Sequence, residues 1–249
     1  MDANFRFYAE LNEFLPHNRQ YQTLQVNFKG RQSVKHLIES SGIPHTEVDL
    51  VLVNGNSVDF SYIVKQDDRV AVYPVFESMD ITPLLKLRPA PLREARFVLD
   101  GHLGRLAAYL RMLGFDSLYR NDYDDLELAQ ISDEQKRILL TRDRGLLKRS
   151  LVTRGYCLRT REPRQQLLAV VRRFDLLAQV RPFTRCITCN GVLEPVSKAE
   201  IADQLEPLTR KYFQEFSRCG QCGQIYWKGS HHGRMQALLA WLEAESDGN

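Results

Sequence analysis

Apolar residues recur with a period of two at Phe5 and Phe7, and again at Leu24, Val26 and Phe28, which predicts two strands able to pair as a hairpin. Ser33 stands where a helix N-cap belongs, Val34, Leu37 and Ile38 share one helical face, and Gly42 with Pro44 closes a short helix. Asn54-Gly55 between the apolar halves of VLVNGNSVDF signals a second hairpin, and Val70 to Tyr73 supplies a closing strand. The predicted order is strand, strand, helix, strand, strand. Pro83, Pro89 and Pro91 then break any regular element and mark a linker.

Beyond the linker the pattern changes to short apolar runs alternating with helical stripes. Phe97-Val98-Leu99 ends at Asp100 and leads into a helix with Leu103, Leu106, Leu110 and Leu113 on one face and Gly114 at its end. Ser117-Leu118-Tyr119, Ile138 to Thr141 and Gly155 to Leu158 predict further strands. Between them and after them lie a helix with Leu126, Leu128 and Ile131, and one opened by Pro163 that carries Leu167, Leu168, Val171 and Phe174. Strands alternating with helices imply a parallel sheet. No internal repeat or low-complexity tract interrupts the pattern.

The 249 residues are 43% apolar and 26% charged, an ordinary composition for a soluble globular chain. Charge is uneven: residues 1–80 carry 7 basic and 11 acidic side chains, and residues 81–249 carry 27 and 20, giving −4 and +7. The basic excess favours an acidic polymer such as RNA as partner, with a solvated basic face as the plainer reading. MDANFRFYAE has neither the basic start nor the apolar core of a signal peptide, and no stretch is long enough to span a bilayer, so a cytoplasmic protein without a membrane partner is expected.

In a parallel sheet, ligands bind beyond the carboxyl ends of the strands. Asp100 follows the first central strand, Asp122, Asp124 and Asp125 follow the second, and Asp143 follows the third. Carboxylates forced together repel unless a cation neutralises them, and hard Mg²⁺ or Mn²⁺ prefers such oxygen ligands. The competing reading is that these aspartates cap the helices they precede. Arg105, Arg111, Arg142 and Arg144 lie beside the acids in sequence and are candidate phosphate contacts.

Four of five cysteines fall in two pairs, Cys186-x-x-Cys189 and Cys219-x-x-Cys222, the spacing of two knuckles that clamp a tetrahedral zinc. Four thiolates fill the coordination sphere, so this zinc is expected to be structural. His231 and His232 could replace a cysteine or face RNA, but an adjacent pair on a surface turn is more often unligated, and Cys157, inside a strand, is read as a small buried hydrophobe. Basic residues around the pairs alternate with Phe183, Tyr212, Phe213, Tyr226 and Trp227, a mixture that suits single-stranded RNA, with Trp227 and Lys228 the leading contacts. Phe213 and Tyr226 read equally well as the ribbon's core.

Two resemblances organise these segments. LNEFLP, PHTEVDLVLVNGNSVDF and RVAVYPVFES resemble ubiquitin-like β-grasp domains related to sulfur carriers, but Glu77-Ser78-Met79 replaces their free diglycine end, which speaks against sulfur transfer. FVLDGHLGRLAAYLRMLGFDSLY, NDYDDLELA, RILLTRDRGLL and the cysteine-rich segments RPFTRCITCNGVLEPVSK and FSRCGQCGQIYWKGSHHGRM resemble the Mut-seven C-terminal RNase domain, a PIN-like nuclease family with a zinc ribbon. This likeness implies catalytic and metal-holding roles for Asp100, Asp143 and Asp125, with Asp122 in reserve for the middle position.

The expected fold is α/β: a β-grasp (α+β) domain over 1–80, a linker over 81–94, a PIN-like parallel α/β domain over 95–180, a zinc ribbon over 181–236 and a tail over 237–249. The resemblance implies an RNA-cleaving hydrolase using Mg²⁺ or Mn²⁺, with a structural zinc and a protein partner for the β-grasp domain. The alternative is a non-catalytic RNA- or ribosome-binding adaptor.

Overall fold

The computed structural model describes residues 1–74, 87 and 95–247. The linker prolines Pro83, Pro89 and Pro91, and Glu77-Ser78-Met79, lie outside the described residues. The chain divides into two compact units, 1–94 with 124–157, and 95–123 with 158–249. These units cut across the sequence-defined segments.

In the first unit, β1 (Asp2–Phe7), β2 (Thr23–Asn27), β3 (Leu50–Val53), β4 (Asn56–Val58) and β5 (Arg69–Tyr73) form a sheet in the order β2-β1-β5-β3-β4. Only β1 and β5 are parallel, and Phe5 sits opposite Val70. Helix α1 (Val34–Ser40) is capped by the Ser33 hydroxyl, which accepts from the His36 amide, and packs Val34, Leu37 and Ile38 inward. Burial of Phe5, Phe7, Leu11, Ile38, Ile43, Val51 and Val72 closes a β-grasp core. Asn54 takes the left-handed conformation in the tight β3–β4 turn, which asparagine tolerates well.

The same unit contains part of the central segment: α3 (Asp125–Glu134), β8 (Ile138–Thr141), α4 (Arg144–Leu147) and β9 (Gly155–Cys157). Strands β8 and β9 are parallel, with Leu140 opposite Tyr156. The β-grasp sheet is fastened to this segment by buried polar groups. His45 contacts Glu39 Oε1 at 2.7 Å and the Val152 carbonyl at 2.9 Å, while the Cys157 amide donates to Glu47 Oε1 at 2.6 Å. Glu47 is 1% exposed, a burial that a carboxylate sustains only with such partners. Cys157 is itself buried.

In the second unit, β6 (Phe97–Leu99) and β7 (Ser117–Tyr119) are parallel. Helix α2 (Gly104–Met112) packs against α5 (Pro163–Arg173), whose first position is the proline that needs no amide partner. Phe97 meets Phe115 and Phe174 edge-on at 6.1 and 6.0 Å, centring a core with Leu106, Leu110 and Leu167. An antiparallel sheet, β10 (Leu193–Val196), β11 (Phe216–Cys219) and β12 (Ile225–Trp227), follows, with short helices α6 (Lys198–Ile201) and α7 (Pro207–Tyr212) between its first two strands. Helix α8 (Ser230–Asp247) then packs on α5. No helix among the described residues is long and apolar enough to cross a membrane.

The Glu47 contact predicts an asymmetric pair of variants. Glu47→Ala strips the Cys157 amide of its buried acceptor and should destabilise the protein by about 1–3 kcal/mol. Glu47→Gln, which keeps an acceptor oxygen, should cost clearly less in urea unfolding.

Candidate metal centre and acidic site

The two cysteine pairs meet at the end of the ribbon sheet. Cys186, Cys189, Cys219 and Cys222 place their sulfurs within 4.8 Å of one another, with Cys186–Cys222 at 3.6 Å and Cys189–Cys219 at 3.4 Å. A tetrahedral zinc with bonds of about 2.3 Å sets its sulfurs about 3.8 Å apart, so the cluster fits a zinc site. A disulfide requires sulfurs about 2.0 Å apart. Gly191 is dictated by this packing, because a Cβ there would lie 2.7 Å from the Cys219 sulfur.

Burial and mutual hydrogen bonds pull the four thiols in opposite directions. Burial pushes the Cys186 thiol up, but hydrogen bonds from the Tyr226 hydroxyl and the neighbouring cysteines outweigh it and bring it down to about 6. Desolvation and the adjoining thiols push Cys189 up to about 12. Tyr226 sits 3.1 Å from the Cys186 sulfur and accepts from the Ile187 amide, so it belongs to the ribbon's interior. His232 lies outside the cluster and stacks on Phe183 with ring centres 5.0 Å apart.

Arg111 is corrected from phosphate contact to internal strut. It is 4% exposed, and it donates from Nε to the Ser117 carbonyl at 2.9 Å and from Nη1 to the Ile187 and Thr188 carbonyls at 3.0 and 2.8 Å. The Leu106–Leu110 face of α2 is wide enough to include Ala107 and, four residues on, Arg111. Asn190, in the left-handed region, completes the junction by accepting from the Ser117 amide and donating to Asp116. Arg185 pairs with the same Asp116 at 3.5 Å. Neither Asp116 nor Asn190 stood out in the sequence; the one available signal was an Asn directly after a knuckle cysteine.

Asp100 ends β6 and makes no capping hydrogen bond to the turn Gly101–Leu103 that follows. The loops after β6 and β7 touch: the Tyr119 hydroxyl donates to the Gly101 carbonyl at 2.9 Å, and a Cβ on Gly101 would lie 2.8 Å from the Asn121 carbonyl oxygen. In the acidic turn, Asp122 is exposed and held by Arg120 at 2.9 Å, which lowers its pKa through that hydrogen bond. Asp124 caps α3 in a reciprocal box with Glu127. Asp125, the first residue of α3, is exposed and lies 3.3 Å from Arg149.

Asp143 lies two residues beyond β8. Its Oδ1 accepts from the Gly145 amide at 2.6 Å and caps α4, and its own amide donates to Thr141 Oγ1. Among the described residues, the four cysteines form the sole group of three or more His, Cys, Asp or Glu ligands close enough to share an ion. Arg105 and Arg142 are exposed. Arg144 is exposed as well, and it reaches Phe14, donating to its carbonyl at 3.2 Å with the guanidinium 4.9 Å from the ring centre.

Trp227 is half-buried against Phe213 and Phe216 and also lines a cavity of about 380 Å³ with Phe183, Ile225 and Met235. Lys228 is exposed and pairs with Glu215 at 2.5 Å.

An α/β segment with carboxylates at its strand ends, joined to a four-cysteine ribbon and preceded by a β-grasp sheet, defines the class. The chain belongs to the Mut7-C RNase domain family, which it matches over residues 95–239, and residues 1–80 match the Mut7-C ubiquitin domain. Among curated proteins, the human exonuclease mut-7 homolog is 34% identical over 106 residues, which is 40% of this chain and 12% of that protein. The chain thus spans a small fraction of that relative's length. No solved structure matches.

The strut predicts coupled losses. Arg111→Met leaves three carbonyls without a donor and should cost roughly 2–3 kcal/mol in urea unfolding while weakening zinc binding. Arg105→Met, on the exposed face of the same helix, should change neither.

Proposed function

We propose that the protein is a metal-dependent ribonuclease of PIN-like type that hydrolyses RNA phosphodiesters. The observation that carries this reading is the placement of Asp100 and Asp143 at the carboxyl ends of parallel strands, where α/β folds assemble their sites. Family membership and the exonuclease relative support it.

Carboxylates are the donors a hard cation prefers, and the described aspartates form no ready group of three without one. Asp143 commits one oxygen to the Gly145 amide and keeps the other, and the capping of α3 falls to Asp124 rather than to Asp125. Asp100, Asp125 and Asp143 would hold Mg²⁺ or Mn²⁺, which when bound supplies the Lewis acid that activates water and stabilises the leaving oxygen. Asp122 engages both oxygens with Arg120, at 2.9 and 3.2 Å, whereas Asp125 meets Arg149 through one oxygen at 3.3 Å, so Asp122 is the less suited of the two middle candidates.

Arg105 and Arg142, exposed beside Asp100 and Asp143, would grip the flanking phosphates bidentately. The ribbon would hold single-stranded RNA through the exposed face of Trp227 and through Lys228, with its zinc purely structural. The β-grasp domain would leave its outer face for a protein partner.

Cleavage of a single-stranded RNA pool should require Mg²⁺ or Mn²⁺ and stop with EDTA. Asp100→Asn and Asp143→Asn should each lower the rate by a factor of at least about 10³ without shifting the unfolding midpoint, an effect of the size expected for lost charge stabilisation. RNA binding without metal-dependent cleavage would instead identify a non-catalytic adaptor.

A further inference from the structure

We infer that the β-grasp sheet is a positioning element for the turn that carries Asp143, acting through Arg144 and Lys148. The inference rests on the reading of Asp143 as a metal-holding carboxylate.

Helix α4 has four residues, too few to be stable by its own hydrogen bonds, so its orientation is set by what it is fastened to. Both of its ends are tied to the β-grasp domain. Arg144, the residue after Asp143, donates to the Phe14 carbonyl and lies over the Phe14 ring. Lys148, just past the helix, donates to the Glu39 carbonyl at 2.6 Å. Phe14 ends one turn of the β-grasp core and is 5% exposed, and Glu39 lies in α1, so the two anchors are separate parts of one packed body.

Leu146 and Leu147 are buried between these anchors, which limits rotation of the helix about the line joining them. Downstream, the Val152 carbonyl and the Cys157 amide are held by His45 and Glu47 of the same domain. The chain leaving β8 is therefore tethered at four places to residues far away in sequence. A displacement of about 1 Å in a reacting group can cost about a hundred-fold in rate, so this bracing bears on catalysis. Arg144, whose position beside Asp143 suggests a phosphate contact, points its charge at an aromatic ring of the β-grasp core.

The test uses the zinc-loaded full chain and a fluorescent single-stranded RNA, with Mn²⁺ and RNA varied separately. Phe14→Leu, Lys148→Met and Arg144→Ala should each lower kcat roughly ten-fold and raise the half-saturating Mn²⁺ concentration, leaving KM for RNA within about two-fold. Arg144→Lys should recover most of the loss, since it keeps a cation over the ring. If Arg144→Ala unfolds the protein, Phe14→Leu and Lys148→Met carry the comparison.

A rise in KM for RNA with an unchanged Mn²⁺ requirement would make Arg144 a substrate contact and overturn the inference. So would silent Phe14→Leu and Lys148→Met variants in a background where Asp143→Asn is inactive, and the ribonuclease reading would then stand alone. A wild-type protein that cleaves no RNA with any divalent metal would overturn both.

Discussion

A guanidinium buried behind four thiols is the interaction on which the second unit depends. Arg111 reaches from α2 to the carbonyls of Ile187 and Thr188, the two residues inside the first cysteine pair. A zinc bound by four thiolates would carry a net charge of −2, and a buried cation beside it offsets part of that charge. Burial by itself lowers the arginine's pKa, and Cys186, Cys189 and Asp116 act in the opposite direction. Ribbon and α/β segment are thereby one folding problem: the knuckle that orients the sulfurs is hydrogen-bonded to the strand and helix that follow Asp100.

The first unit solves a similar problem with different chemistry. Its acceptors are the Glu47 carboxylate and the backbone carbonyls of Phe14, Glu39 and Val152, met by amide, imidazole, guanidinium and ammonium donors. An interface of this kind is directional, because each donor must find one oxygen. A purely apolar contact would allow sliding. These hydrogen bonds fix the β-grasp domain to the chain that follows β8.

Local periodicity made much of this legible. Alternation at Phe5–Phe7 and the Asn54-Gly55 turn marked the β-grasp strands, and the Leu103–Leu113 stripe marked α2. The cysteine spacing located all four sulfurs of the cluster. The internal contacts of Arg111, Arg144 and Asn190 escaped the sequence for one reason: their partners lie 76, 130 and 73 residues away, and a long polar side chain looks the same in sequence whether or not it reaches a distant backbone group. The aspartates fall between these cases. Sequence placed them at strand ends, and folding assigned Asp124 and Asp143 capping hydrogen bonds that no spacing rule separates from a metal-holding role.

The proposed cleavage would require carboxylates from separate loops to share one hard cation. Mn²⁺ binding to the zinc-loaded protein, followed by electron paramagnetic resonance without any RNA present, measures this directly. Saturable binding of one or two Mn²⁺ per chain, lost in Asp100→Asn and in Asp143→Asn alike, is the predicted result. Mn²⁺ that remains free in solution, or binding that both substitutions leave unchanged, would contradict it.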